Sequence, residues 1–208
     1  ERNPVKAFQW CSAAAEHKDK PEATFELALM YLYGLGVKQC KATAVLLLDA
    51  AGKKHHPLAL FKLAEYFFEN AAKADDFKKG FDACFRAAEL GLAEAQFNLG
   101  VMFEDGLGVE QNLKNAAIWY RRAATNGDER AMNNLGNLYR HGKGVDKDEL
   151  KAKAFYTLAA ENNSTFAQFN LGLLHTEGGN TNSAKAQVLS LFLPSYFQGS
   201  PKARSFIN

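Results

Sequence analysis

The stretch AEAQFNLGVMFEDGLGV, residues 93–109, decides the fold. Ala95, Leu99 and Phe103 recur at i, i+4 and i+8, so they lie on one face of a helix. The Gly-Leu-Gly sequence that follows ends this helix, because glycine adopts the left-handed conformation that a helix C-terminus often needs. Residues 113–127 carry a second helical pattern that closes with an Asn-Gly pair. The stretch therefore predicts a helical hairpin, made of a first helix (helix A) and a second one (helix B).

The same hairpin recurs along the chain with a period of 36 residues. Each step reaches a leucine that is followed by a small residue, with an alanine four residues before it. Five copies of one pattern at this spacing predict a solenoid, in which each repeat buries its apolar face only by stacking on its neighbours. The recurring leucines are Leu27, Leu63, Leu99, Leu135 and Leu171.

These residues resemble the Sel-one-like repeat, a relative of the tetratricopeptide repeat. The family pattern runs A-E-A-Q-Y-x-L-G-x-x-Y-x-x-G-x-G-V and then K-A-x-x-W-Y-x-x-A-A. Residues 93–127 match this pattern nearly throughout, and residues 129–163 match it at most positions. The resemblance implies an all-α fold class, a right-handed α-solenoid of helix-turn-helix repeats. It does not settle function, which depends on a site rather than on a fold.

The repeat register predicts a single repeat domain over residues 1–208, with a partial repeat helix first and a divergent capping repeat and tail last. Because the repeat pattern starts in mid-repeat at Glu1, we expect either that upstream residues were removed or that the lone helix caps the array. In the last repeat we expect a helix B over residues 184–192, and the apolar residues of 189–197 must cover the final repeat or bind something. The predicted boundaries are 1–20, 21–56, 57–91, 92–127, 128–163 and 164–208.

The second full repeat departs most from the pattern. Asn70 and Ala72 replace its turn glycines, and the residues up to Ala74 are expected to extend helix A. Its phenylalanines are read as core filling in place of small residues, with an exposed aromatic surface for a partner as the alternative. They are Phe61, Phe67, Phe68, Phe77, Phe81 and Phe85.

The A helices of repeats three and four predict a partner-binding groove, if the groove positions of tetratricopeptide repeats carry over. The groove would change from acidic and aromatic to basic and polar, and a solvated helix face is the alternative. Asn98, Asn134 and Asn170 recur at one register, which favours a hydrogen bond between neighbouring repeats over a ligand contact. The predicted groove residues are Glu94, Phe97, Val101, Glu104 and Asp105 in repeat three, and Arg130, Asn133, Asn137, Arg140 and His141 in repeat four.

Composition and motifs exclude several function classes. The net charge is +2 with both signs interspersed, which argues against a nucleic-acid partner, and no apolar run approaches the length of a transmembrane helix. No cofactor, metal or catalytic site is predicted, and the pair His55-His56 is read as part of a solvated loop. Three cysteines fit a reducing compartment or a secreted protein without disulfides, so the localisation stays open, with a secreted or periplasmic product that has lost its signal as one possibility.

The predicted function is a non-enzymatic protein–protein interaction module, an adaptor or scaffold whose partner is another protein. The resemblance also implies an alternative, a bacterial immunity protein that neutralises a secreted phospholipase-type effector. A β-lactam-binding, hydrolase-like member is disfavoured because no serine-lysine motif is present. Replacement of Arg130 and Arg140 by Glu is expected to weaken partner capture and to leave helicity unchanged.

Overall fold

The computed structural model describes residues 3–16 and 20–177, with residues 175–177 described by their backbone alone. Every regular element in this part of the chain is an α-helix, so the all-α prediction is confirmed. The predicted C-terminal helix B and tail lie outside the described residues. The helices are α1 (Pro4–Glu16), α2 (Pro21–Tyr33), α3 (Lys41–Lys53), α4 (Pro57–Glu69), α5 (Ala74–Glu89), α6 (Ala93–Asp105), α7 (Leu113–Thr125), α8 (Glu129–His141), α9 (Glu149–Glu161) and α10 (Thr165–Glu177).

The helices fall into two compact units, each described here by itself. The first unit extends to Gln111 and contains α1 to α6, and the second begins at Asn112 and contains α7 to α10. Within each unit, helices that follow one another in the chain pack together. The single domain over residues 1–208 stays a prediction.

The residues that recur every 36 positions in the sequence are also the residues that form the core. The five recurring leucines are all buried, and so are the small residues that follow them. The small residue allows close helix packing in the fourth repeat, since a Cβ added at Gly136 would lie 2.6 Å from the ring of Tyr156 on α9. On helix B of the third repeat, Trp119 and Tyr120 are buried.

Glycine turns end α2, α6 and α8 in the same way. After α6, Gly106 adopts φ 74° and donates its backbone N–H to the carbonyl of Met102 at 2.8 Å. The second glycine, Gly108, also has a positive φ, and its missing side chain leaves room for the main-chain carbonyl of Phe77 on α5. These turns therefore need glycine for backbone conformation and, at the second position, for close approach.

The second full repeat replaces this turn with a helix cap. Helix α4 ends at Glu69 like its counterparts, and α5 begins early, at Ala74. Oδ2 of Asp76 accepts the backbone N–H groups of Ala72 and Lys73 at 3.2 Å each. The predicted extension of helix A is therefore wrong, because this carboxylate stabilises the N-terminus of helix B and lengthens that helix instead.

The phenylalanines of this repeat contribute to the core to different degrees. Phe61 is 4% exposed, Phe68 covers Gly80 of α5, and the ring of Phe81 meets that of Phe103 edge to face at a centroid distance of 5.5 Å. Phe77 and Phe85 are about one-third exposed, at 36% and 38%. Core filling therefore accounts for part of the aromatic enrichment, and two of the rings remain exposed.

Candidate interaction surfaces

The first unit carries the five groove residues predicted for repeat three, all of them on α6. Glu94 and Asp105 are exposed near the two ends of the helix, whereas Phe97, Val101 and Glu104 are half-buried. The acidic ends of α6 are therefore presented to solvent.

Acidic residues dominate the A helices of the first unit, which are α2, α4 and α6. The only basic residue on these three helices is Lys62, whose Nζ lies 2.5 Å from Oε2 of Glu65. This hydrogen bond raises the pKa of Lys62, and the carboxylate of Glu94 contributes in the same direction. The single cation is thus paired within the unit. The acidic residues are Glu22, Glu26, Glu65, Glu69, Glu94, Glu104 and Asp105.

A pocket of about 260 Å³ opens between α2 and α4 beside this ion pair. Tyr33 is 57% exposed and Tyr66 is half-buried, so two phenolic rings contribute to its lining. The sequence reasoning considered only repeats three and four and missed this pocket. The repeat pattern does indicate this position, because Tyr33, Glu69 and Asp105 occupy the same place in three successive repeats. The lining residues are Leu32, Tyr33, Gln39, Lys41, Lys62, Glu65, Tyr66, Glu69 and Asn70.

In the second unit, Arg130 is bound to the cap of α8. Oδ1 of Asp128 accepts the backbone N–H of Ala131 at 3.0 Å, which caps the helix. The same carboxylate binds Nη2 of Arg130 at 2.6 Å and Nε at 3.3 Å. The side chain of Asp128 is only 6% exposed, whereas that of Arg130 is 46% exposed. Arg130 therefore has a structural role in the helix cap.

Asn133 and Asn137 belong to a hydrogen-bond network that joins α8 to α9 and α10. Nδ2 of Asn170 donates to Oδ1 of Asn133 at 2.8 Å and to Oδ1 of Asn137 at 3.4 Å. The hydroxyl of Tyr156 donates to Oδ1 of Asn137 at 2.7 Å. The predicted hydrogen bond between neighbouring repeats is confirmed for Asn170. The amide oxygens of Asn133 and Asn137 thus serve the packing of the last repeats.

Arg140 and His141 lie in the last turn of α8. His141 is exposed and Arg140 is half-buried. A hydrogen bond from Lys147 lowers the pKa of Glu149, and the charge of Arg140 adds to this effect. Cations at this end of a helix are favoured by the helix dipole. Arg140 and His141 therefore place basic groups on α8 at the repeat positions that Glu104 and Asp105 occupy on α6.

The two adjacent histidines, His55 and His56, differ in their surroundings. No group of three metal-ligating side chains occurs within the described residues. His55 is exposed in a turn with φ 61°, as the predicted loop requires. His56 also lies in the predicted connection, but its side chain is half-buried: its Nδ1 accepts the N–H of Ala59 at 3.1 Å, and its ring stacks on Phe25 with centroids 4.8 Å apart. His56 thus caps α4.

The helix pairs, their common register and the glycine turns match one known family. The profile of the Sel1 repeat matches residues 1–19, 21–55, 57–92, 93–128, 129–164 and 165–187. The chain belongs to the Sel1 repeat family. The predicted resemblance and the solenoid fold class are both confirmed.

Solved Sel1 repeat structures resemble the chain over most of its length. A protective antigen of uropathogenic Escherichia coli with an SLR fold is 30% identical with a TM-score of 0.88, covering 97% of this chain and 43% of the antigen. A Sel1 repeat protein from Oxalobacter formigenes is 28% identical with a TM-score of 0.79, covering 94% and 80%. An immunity protein from Pseudomonas aeruginosa is 19% identical with a TM-score of 0.54, covering 90% and 68%, and shares the fold alone.

Two curated fungal relatives match half of the chain. The chitin synthase regulator SKT5 of Saccharomyces cerevisiae is 33% identical over 105 residues, which are 49% of this chain and 15% of the yeast protein. The SKT5 protein of Malassezia restricta is 29% identical over 105 residues, 48% of this chain and 7% of its own length. The match therefore spans a small part of both relatives. Within the described residues, none of the helices has the length and apolar character needed to cross a bilayer.

Proposed function

We propose that this Sel1 repeat chain is a non-enzymatic interaction module that holds a partner protein on the exposed sides of its A helices. The observation that carries the proposal is the difference in charge between the A helices of the first unit and helix α8 of the second. In the first unit they hold seven acidic residues and one basic residue, whereas α8 carries Arg130, Arg140 and His141 beside Glu129. The acidic excess on the A helices of the first unit favours a partner with complementary, basic groups.

The fungal relatives support a role in controlling another protein. Both are named chitin synthase regulators, a name that describes an effect on another protein. An adaptor or scaffold of this kind needs exposed, rigid side-chain arrays, which stacked helix pairs supply.

The immunity-protein alternative predicts a different outcome for the partner. An inhibitor blocks the active site of its effector in a tight complex, whereas an adaptor binds and leaves catalysis intact. The likeness to the Pseudomonas aeruginosa immunity protein supports this alternative only through a common fold. An activity assay of the captured partner, with and without the chain, separates the two roles.

The test of the proposed function is affinity capture followed by mass spectrometry, with variants that change charge and keep the fold. Replacement of Arg130 by Glu is unsuitable, because it would set a second carboxylate against Asp128 and disturb the cap of α8. The sequence analysis predicts unchanged helicity for the variant with Glu at both arginine positions, and this structure does not support that prediction.

Arg140→Gln combined with His141→Gln should reduce the captured amount of a specific partner, and Glu94→Gln combined with Asp105→Asn should do the same for a partner of opposite charge. The matched control is Lys153→Gln, which removes an exposed lysine from α9. Equal capture by all variants would contradict binding through the A helices.

A further inference from the structure

The pocket between α2 and α4 lies at the C-terminal ends of both helices. Its lining includes the last residue of each helix, Tyr33 and Glu69, and also Tyr66 in the last turn of α4. The C-terminal end of a helix carries a partial negative charge, because its last carbonyl groups have no donor within the helix. Two such ends meet at this cavity of about 260 Å³. The backbone alone therefore favours a positively charged group in the pocket.

Three side chains of the lining offer oxygen atoms as acceptors. Glu69 is exposed and forms no ion pair with any described residue. Nε2 of Gln39 donates to the carbonyl of Leu32 at 2.7 Å. Nδ2 of Asn70 donates in the same way to the carbonyl of Tyr66 at 2.8 Å. Because each amide spends its N–H group on the main chain, its oxygen is left to accept a hydrogen bond from a ligand.

The two cations of the lining do not compensate Glu69. The hydrogen bond to Glu65 raises the pKa of Lys62, and the carboxylate of Glu94 acts in the same direction. The charge of Lys62 is thus held by other carboxylates. Lys41 is an exposed residue at the start of α3, so its ammonium group can turn into water on a flexible stem. Glu69 therefore remains available to a cation from outside the chain.

Two phenol rings of the lining favour one kind of cation. Tyr33 is 57% exposed, and the half-buried ring of Tyr66 meets that of Phe67 edge to face with centroids 6.0 Å apart. The face of an aromatic ring attracts cations, and a planar guanidinium also stacks on it, which an ammonium group does not. A guanidinium carries several N–H donors in a fixed fork, so it can serve more than one oxygen at once. The lining therefore suits arginine better than lysine.

We propose that this pocket binds an arginine side chain of the partner protein. The guanidinium lies against Tyr33 and Tyr66 and donates hydrogen bonds to Glu69 and to the amide oxygens of Gln39 and Asn70. The source of the arginine rests on the proposed function, in which a partner protein is held by the A helices. The acidic excess on those helices in the first unit attracts the same basic segment of the partner.

NMR titration of the full chain with a small peptide tests the chemistry of the pocket. The probe is the tripeptide Gly-Arg-Gly with acetyl and amide ends, and the chain carries isotope-labelled tyrosine rings. The ring signals of Tyr33 and Tyr66 should shift until they saturate. The same peptide with citrulline, which has the shape of arginine without its charge, should bind about fivefold more weakly, the size of one exposed ion pair. Equal affinity for the two peptides, or saturating shifts at other tyrosines alone, would overturn the proposal.

Variants of the lining test the sign of the bound charge. Glu69→Gln should weaken binding of the arginine peptide about fivefold, and Lys41→Gln should strengthen it about twofold because it removes a like charge. The matched control is Glu16→Gln, since Glu16 is also an exposed glutamate at the last position of a helix, α1, and does not line the pocket. Its affinity should equal that of the wild type. Weaker binding after Lys41→Gln, or an equal loss in Glu69→Gln and Glu16→Gln, would overturn the proposal.

Partner capture separates this inference from the proposed function. Glu69→Gln should lower the captured amount of the partner, and Glu16→Gln should not. Capture that falls with Glu94→Gln/Asp105→Asn but not with Glu69→Gln would support the proposed function and overturn the arginine pocket. An arginine peptide that binds at the pocket, together with capture that no A-helix variant changes, would support the chemistry of the pocket and contradict the proposed function.

Discussion

Two glycines in the turn after α6 share one backbone conformation and differ in their surroundings. Gly106 has φ 74° and Gly108 has φ 73°. A Cβ added at Gly106 would meet its nearest neighbour, the backbone nitrogen of Gln111, at 3.4 Å, an ordinary contact. At Gly108 it would overlap the main-chain carbonyl of Phe77, which cannot rotate away as a side chain can. The pair therefore separates backbone strain from close packing.

General magnitudes for backbone strain and for overpacking set the expected size of both effects. Gly106→Ala should lower the free energy of unfolding by about 1–2 kcal/mol, the cost of a left-handed L-residue. Gly108→Ala carries the same strain and must also push the turn away from α5, which adds about 1–3 kcal/mol. Replacing glycine by alanine also lowers the entropy of the unfolded chain, which stabilises both variants by the same amount. This contribution therefore cancels when the two variants are compared.

Urea unfolding followed by far-UV circular dichroism measures this difference. Gly91→Ala is a further control, because Gly91 has φ 90° and open space around its missing side chain. We expect Gly91→Ala to resemble Gly106→Ala, and Gly108→Ala to unfold at clearly lower urea. If Gly106→Ala and Gly108→Ala agree within about 0.5 kcal/mol, the limit of independent additivity, the close approach of α5 does not constrain the turn and the reasoning is refuted.

Three further predictions concern single side chains. A hydrogen bond from Thr43 lowers the pKa of Cys40, whereas burial raises the pKa of Cys84 to about 12. Iodoacetamide should therefore label Cys40 in the native chain at neutral pH and Cys84 only after unfolding. Peptide mapping that finds both cysteines labelled at one rate would contradict this prediction. Tyr156→Phe should lower the free energy of unfolding by about 1 kcal/mol in urea melts, because an amide oxygen loses its hydroxyl donor; an unchanged midpoint would argue against the bond. His56→Ala should lower thermal stability by about 1 kcal/mol, and His56→Asn by less because asparagine keeps a cap acceptor; equal losses would show that the cap is not the cause.

The fold could be predicted because its determinants are local and repeated. The leucine at Leu99 and the glycine at Gly106 recur with the same period of 36 residues. A pattern repeated in several copies rarely arises by chance, so it identifies the fold. The prediction failed where the repetition fails. At Asn70 and Ala72 the glycine turn is gone, and the pattern could not show that Asp76 would cap an earlier start of α5.

The missed role of His56 has a signal in the sequence. Pro57 favours the first position of a helix, so the residue before it is a candidate cap. Histidine is not among the usual cap residues, and the stacking partner Phe25 lies on a different helix, so the pattern alone favoured a loop. The ion pair between Arg130 and Asp128 was missed for a similar reason, since one partner precedes the helix and helical spacing does not relate the two.

The candidate binding residues show why register alone does not define a site. Phe97 and Asn133 occupy one position in successive repeats, yet Asn133 is 8% exposed and accepts a hydrogen bond from Asn170. A partner that bound these polar atoms would break their hydrogen bond to the next helix and leave a buried polar group unsatisfied, which costs free energy. Such a residue is therefore a poor contact for a partner. Exposed charges carry no such cost. The partner contacts predicted from the sequence are therefore best tested first at Glu94, Asp105 and His141, which are exposed.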